Sequence, residues 1–205
     1  MATRPRWYFS LRSPYSWMAF RDLVTRYADV ADRIDWFPYW EPGLQIQRQL
    51  NESGMELAYV PMTREKHMYI LQDTRRLCQE RGLEMTWPVD RDPDWDISHL
   101  AYLRAEDLGL GREYIDLVSQ ARWARGEDIS DPEVVAGVAR RLGLDEHVLA
   151  LAHQDEGLRQ RGVAALTKVY QDGVFGVPFF IDGFEKFWGI DRLPGFVAAV
   201  RAKQD

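Results

Sequence analysis

The chain has 205 residues, 46% of them hydrophobic, a net charge of −6 and a single cysteine, Cys78. That length suits one large domain, or one domain carrying a sizeable insertion. The negative balance argues against nucleic acid or an anionic membrane as partner, and one cysteine excludes an internal disulfide and any Cys-x-x-Cys redox or zinc motif.

Residues 1–6 are basic but lead into only about four apolar residues, short of the roughly 7–15 of a secretory leader. No stretch approaches the ~18 apolar residues of a membrane span, so a cytoplasmic protein is expected. Residues 7–11 read as a short buried strand. Ser13-Pro14-Tyr15-Ser16 follows. A proline suits the first helical turn, where its missing N–H costs nothing, and Tyr15, Trp17, Met18, Phe20, Leu23, Val24 and Tyr27 then recur at helical spacing. Residues 34–40 read as a second strand, with Pro38 confining its later half to a sheet edge or a strand end. The next stretch of roughly 120 residues holds no strand-like run. Helices are expected over 64–81, 96–108 and 111–125, each ended by a glycine, then over 132–142, opened by Asp131-Pro132, and over 145–152 and 156–171. Residues 179–181 and 185–188 read as strands joined by the turn signal Asp182-Gly183. A helix over 191–203, begun by Asp191, closes the chain.

The order is β-α-β, a helical block, then α-β-β-α. This is an α/β arrangement of the thioredoxin type, with a large all-helical insertion. The expected division is 1–41 with 156–205 as the thioredoxin-like domain and 42–155 as the inserted helical domain. Serines stand at the first turn where redox members carry cysteines, so this turn can position another molecule's sulfur but cannot cycle a disulfide of its own.

Three separated segments resemble one family. They are Ser13-Pro14-Tyr15-Ser16-Trp17; Lys66-x-x-Tyr69-x-x-x-Asp73; and Gly173-Val174-Phe175-Gly176-Val177-Pro178 continued by Phe187-Trp188-Gly189-Ile190-Asp191-Arg192-Leu193. A weaker match is Glu127-Asp128-Ile129-Ser130-Asp131-Pro132. In this order they resemble the 2-hydroxychromene-2-carboxylate isomerases and kappa-class glutathione transferases, a branch of the DsbA-like thioredoxin superfamily. The resemblance implies glutathione, or another low-molecular-weight thiol, as cofactor. It implies that Ser13 hydrogen-bonds the thiol sulfur, and that the backbone of Val177, ahead of a cis Pro178, pairs with the cysteinyl part. Asp191 would hold the γ-glutamyl amine with help from the Ile190 backbone, and Lys66 would meet a carboxylate. The family pattern usually has an acidic residue where Ser10 stands and an apolar one where Arg12 stands. It usually has a Pro-x-x-Leu-Gly type of segment near Trp40-Glu41-Pro42-Gly43, and an asparagine in the loop before the lysine helix, near Asn51 and Ser53. A homodimer is also implied.

The residues carry a physical reading of their own. A helix N-terminus favours an anion, and a free thiol has a pKa near 8.5. A serine hydroxyl there donates a charge-assisted hydrogen bond worth on the order of 1.5–3 kcal/mol to a thiolate, or roughly one to two pKa units. The same Ser-Pro pair is also an ordinary way to begin a helix. Asp191 has the same double reading, as a helix cap or as a carboxylate for a ligand amine. Lys66, Tyr69 and Asp73 share one helix face and read equally as a solvated ion pair. Arg12, beside Ser13, either supports the anion, grips a substrate carboxylate in bidentate fashion or faces solvent.

The aromatic set Tyr15, Trp17, Phe37, Tyr39, Trp40, Tyr59, Trp87, Trp95 and Trp123 is rich for this length. Tyr15, Tyr39 and Trp40 are placed by topology to wall a slot for a flat aromatic substrate. The four histidines, His67, His99, His147 and His153, all lie in the helical block, so no Ser-His-Asp triad and no metal cluster is expected. Cys78 reads as a small buried hydrophobe. The resulting expectation is a glutathione-dependent cis-trans isomerase of a conjugated aromatic small molecule, from aromatic catabolism or natural-product biosynthesis. The alternatives are a kappa-type transferase and a non-catalytic thioredoxin-fold binding module that has lost glutathione.

Overall fold

The computed structural model describes residues 3–55 and 62–203. The chain folds as two compact units, Met1–Tyr39 with Lys168–Asp205, and Trp40–Thr167.

The first unit is built on a four-stranded mixed sheet of order β2-β1-β3-β4, with β1 Arg6–Phe9, β2 Asp35–Pro38, β3 Phe179–Asp182 and β4 Glu185–Trp188. β1 pairs parallel with β2 and antiparallel with β3, and β3 pairs antiparallel with β4. Pro38 closes β2 on the outer edge, where a residue without an N–H is tolerated. The register lines up two rows of aromatics across all four strands. Trp36, Trp7, Phe180 and Phe187 form the row on one face; Phe37, Tyr8, Phe179 and Trp188 form the row on the other.

Under the first row lie the helices α1 Pro14–Arg26 and α10 Leu193–Ala202. Phe20 meets Trp36 edge-on and Phe196 stacks on Phe180 at 5.0 Å. Trp7, fully buried, meets Trp36 edge-on at 4.8 Å and stacks on Phe180 at 6.3 Å. Truncating such an aromatic to alanine costs about 3–5 kcal/mol. The short helix α2 Ala28–Ala31 is tied to the end of α10 through the two hydrogen bonds of Arg201 to Asp29.

The second unit contains α3 Leu44–Glu52, α4 Arg64–Glu80, α5 Trp95–Asp107, α6 Gly111–Ser119, α7 Pro132–Arg141 and α8 Glu146–Ala150. It also holds most of α9 Glu156–Gln171. Nearly every residue of α5 is buried, so it is a central helix enclosed on all sides rather than an amphipathic one. Gly162 of α9 admits this close packing: a Cβ there would come within 2.8 Å of Leu100.

Helix α3 falls inside the block expected to be helical, at residues where no individual helix is legible. Its mostly polar run offers only Ile46 and Leu50 to the core, and Gly43 caps it without a side-chain bond. The helix expected to run to residue 125 changes to a π turn over Gln120–Ala124. The last helix begins at Leu193 after a 3-10 turn Ile190–Arg192.

Candidate active site

Chain leaves the C-terminal end of β1 through Ser10, Leu11 and Arg12 and enters α1 at Ser13. Ser13 is the N-cap, with extended φ −98° and ψ 120°. Its N–H donates to the Ser10 carbonyl at 3.1 Å, and its Oγ accepts the Ser16 N–H at 3.2 Å. The Oγ of Ser16, itself buried, accepts the Ser10 N–H at 3.2 Å. Two serine oxygens thus close the turn by accepting amide protons, which leaves each hydroxyl with its own proton to give. Ser13 is only half-buried, and among the described residues no acceptor takes its proton. The positive end of the α1 dipole is at the same place.

The antiparallel register, which pairs Tyr8 with Phe179, brings the residues preceding β3 to this same end of β1. The Val177–Pro178 peptide bond is cis. The Pro178 carbonyl accepts the Gly189 N–H at 3.0 Å. Among the described residues, neither the N–H nor the C=O of Val177 has a backbone partner.

Gly189 adopts φ 100°, and a Cβ there would lie 2.6 Å from Asp191 Oδ1. Only glycine lets the Asp191 carboxylate fold back over the turn. Asp191 sits inside the 3-10 turn, which packs on α1. It does not cap α10: the cap position belongs to Arg192, without a side-chain bond. The Asp191 side chain is 70% exposed and 3.7 Å from the Arg192 guanidinium, while Ile190 is buried. Ser13, Val177, Pro178, Ile190 and Asp191 therefore gather at one end of the sheet unit.

Arg12 and Tyr15 flank Ser13, both half-buried; Tyr39, also half-buried, follows β2 and donates its N–H to Phe9 O at 2.7 Å. Trp40 does not meet its expectation as a slot wall. It is 1% exposed, its indole N–H donates to Asp96 at 2.7 Å and its ring stacks on the buried His99 at 5.1 Å. A ring held on both counts is core of the helical unit.

Lys66 is exposed in the first turn of α4, and its N–H is capped by Thr63 Oγ1 at 3.2 Å. Asp73, on the same face, bonds Arg76 at 3.0 Å and also takes the Tyr69 hydroxyl at 3.4 Å. Trp17, Trp95 and Trp123 are buried, and Tyr59 lies outside the described residues. Cys78 is buried, and burial pushes its thiol above the usual range. Among the described residues no helix is long and apolar enough to cross a membrane.

The profile of the DSBA-like thioredoxin domain matches residues 6–201. The chain belongs to that family. Within it, a curated relative from Sphingobium xenophagum, a 2-hydroxychromene-2-carboxylate isomerase, is 29% identical over 195 residues, covering 91% of this chain and 92% of that one. A second protein of that name, from Pseudomonas putida, is 29% identical over 129 residues, 61% of each chain. A solved 2-hydroxychromene-2-carboxylate isomerase superposes with a TM-score of 0.76 at 21% identity, covering 97% of this chain and 95% of that chain. The cytosolic disulfide reductase DsbM from Pseudomonas aeruginosa, solved with GSH, gives 0.63 at 17% identity and 98% coverage of both. These superpositions establish the DsbA-like thioredoxin fold.

Two polar clusters of this family member were not read from sequence. In the helical unit, Arg122 is 3% exposed, makes two 2.8 Å hydrogen bonds to Asp90 and lies between the rings of Trp95 and Trp123, 4.9 and 4.8 Å from their centroids. In the sheet unit, Asp172 collects Arg6, Tyr8 and Lys168. Burial alone would raise the Asp172 carboxyl, but these partners outweigh it and hold the group below the usual carboxylate range. Burial, reinforced by the neighbouring carboxylate, keeps the Tyr8 phenol protonated. The pairs Arg122–Asp90 and Tyr8–Asp172 are 32 and 164 residues apart in sequence, and no local pattern announces them.

Proposed function

We propose that this chain is a glutathione-dependent cis-trans isomerase acting on a conjugated aromatic substrate of the chromene-carboxylate kind, with Ser13 holding the thiol as its thiolate. The observation that carries the reading is the Ser13 hydroxyl: its oxygen is occupied by the Ser16 N–H while its proton remains available at the head of α1. A relative named 2-hydroxychromene-2-carboxylate isomerase, similar over nearly the whole chain, supports the reaction class.

The residues present suit such a tripeptide thiol. The Val177 backbone has both hydrogen-bonding groups to offer an extended ligand, as an added strand would use them. The Asp191 carboxylate is exposed and folded back by Gly189, ready for a ligand amine. When bound, the thiol supplies the sulfur nucleophile whose reversible addition to the conjugated substrate turns a double bond into a rotatable single bond. Ser13 donates to the sulfur and, with the first-turn dipole, favours its anion; a charge-assisted bond of on the order of 1.5–3 kcal/mol lowers the thiol pKa by roughly one to two units. Holding the sulfur in place turns an encounter into a pre-aligned attack. Arg12 supplies a positive charge beside the same turn, suited to a substrate carboxylate, and Tyr15 and Tyr39 supply aromatic walls.

Incubation with a chromene carboxylate and a catalytic quantity of glutathione tests the proposal. Interconversion of isomers with no loss of free thiol is the expected result. Accumulation of a thioether makes the chain a transferase. Glutathione at about 100 times its dissociation constant should stabilise the fold by roughly 2.7 kcal/mol; no stabilisation with any small thiol leaves a binding module.

A further inference from the structure

Helix α9 ends at Asp172-Gly173. Gly173 takes φ 65° and donates to the Tyr170 carbonyl at 3.0 Å, and Val174 donates to Val169 O at 3.1 Å. Beyond that point, among the described residues, Phe175, Gly176 and Val177 make no backbone hydrogen bond. The Phe175 ring leans on Phe179 and Trp188, at 5.2 and 5.0 Å, and Gly176 passes so close beneath Trp188 that a Cβ would come within 2.8 Å of the indole nitrogen. The segment that presents Val177 is therefore held at its ends and by ring contacts, not along its backbone.

The end before it is tied down by one residue. Asp172 Oδ1 accepts the Lys168 ammonium at 3.0 Å. Its Oδ2 takes the Tyr8 hydroxyl and lies 3.0 Å from Arg6 Nε as an ion pair. Its main-chain carbonyl accepts the Lys186 ammonium at 2.5 Å. The carboxylate is 13% exposed. Two residues of β1, one of β4 and one of α9 thus converge on the start of a segment that lacks its own ladder. Charge-assisted bonds of this sort are about twice as strong as neutral ones, and a bond network polarises itself further.

We propose that Asp172 is a positioning residue for thiol binding: it fixes the run 173–177 so that the Val177 backbone meets the ligand in a set orientation. This rests on the reading of Val177 as part of the thiol site. The test is Asp172→Asn, which keeps the shape and removes the charge. Exchange of the Gly173 and Val174 amides, the hydrogen-bonded ones at the start of the segment, should quicken about tenfold while the amides of α1 keep their rates. In steady-state isomerisation the KM for glutathione should rise about tenfold with kcat within about threefold of the parent, and the thiol pKa in the complex should not move. A merely structural aspartate would leave the exchange of Gly173 and Val174 in line with the rest of the sheet unit.

The proposal is overturned if folded Asp172→Asn protein shows exchange of the Gly173 and Val174 amides within about twofold of the parent. If that variant does not fold, Tyr8→Phe and Lys186→Met are read in the same way, and unchanged exchange in both overturns it. If the parent protein binds no glutathione, the functional reading falls, and the exchange measurement still decides whether Asp172 holds the segment.

Discussion

Each unit holds an aspartate largely screened from water, and the two are driven in opposite directions. In the helical unit, Asp96 accepts from the Trp40 indole N–H at 2.7 Å and the Gly43 amide at 3.1 Å. Both donors are neutral, so burial prevails and the Asp96 carboxyl is raised. In the sheet unit, Asp172 has two cations and a phenol, and is lowered in spite of its burial. At Asp172 the hydrogen bonds from Tyr8 and Lys168, joined by the charges of Arg6 and Lys168, outweigh burial; at Asp96 two neutral donors do not. A second contrast sets the helical core against the head of α1. In the helical core, Arg122 gives two hydrogen bonds to Asp90 and Trp40 gives one to Asp96. At the head of α1, among the described residues, the Ser13 proton and the Val177 backbone have no partner, and the Asp191 carboxylate, 3.7 Å from Arg192, is largely exposed.

The sharpest way to break that contrast is Arg122→Met. It removes one partner of an enclosed ion pair and should cost about 3 kcal/mol of stability, since Asp90 keeps partial access to water. Urea unfolding measures it, and the pKa of a thiol bound at Ser13 should be untouched.

Ser13→Ala is the opposite case. It should lower kcat/KM for isomerisation about 100-fold, as loss of one donor to a reacting anion does, while the lost helix cap costs only about 1 kcal/mol. Comparable losses of stability and activity would make Ser13 a cap and nothing more. Next in size is Gly189→Ala. The alanine must adopt a positive φ at about 2 kcal/mol and displaces the Asp191 carboxylate. Weaker glutathione binding in calorimetry, with the fold retained, is the expected outcome.

The smallest effects are in pH dependence, and their signs differ. A lowered carboxylate contributes stability above its unfolded pKa and loses it as pH falls through the folded value. Asp172→Asn should therefore cost most at neutral pH and least in acid. A raised carboxylate contributes below its unfolded pKa and loses that contribution as pH rises through the folded value. Asp96→Asn should cost most in acid and least at neutral pH. Urea midpoints at about pH 3 and pH 7 distinguish the two slopes, and slopes of the same sign would undo the comparison.

Features governed by neighbours in sequence were legible before the fold. Ser13-Pro14 and Asp131-Pro132 open α1 and α7 because a short polar side chain and a fixed φ act within one turn. The places of the four strands along the chain follow from where the apolar runs fall. Features governed by distant partners were not. The aromatic character of Trp40 does not reveal that Asp96, 56 residues on, ties its N–H into the core. Asp191 looks like a cap until the 3-10 turn shifts the start of α10 to Leu193. Helix α3 is so polar that its two core contacts, Ile46 and Leu50, give too faint a period to read.

Cys78 is the chain's one cysteine, and it is enclosed in α4 with its thiol pushed toward the neutral form. Alkylating reagents need a thiolate they can reach, so iodoacetamide should leave the folded polypeptide unlabelled. In a turnover assay the same reagent would trap whatever dissolved sulfur compound is present, and fresh compound would restore the rate. The chain itself is thus a silent background against which the ownership of a reactive sulfur can be assigned.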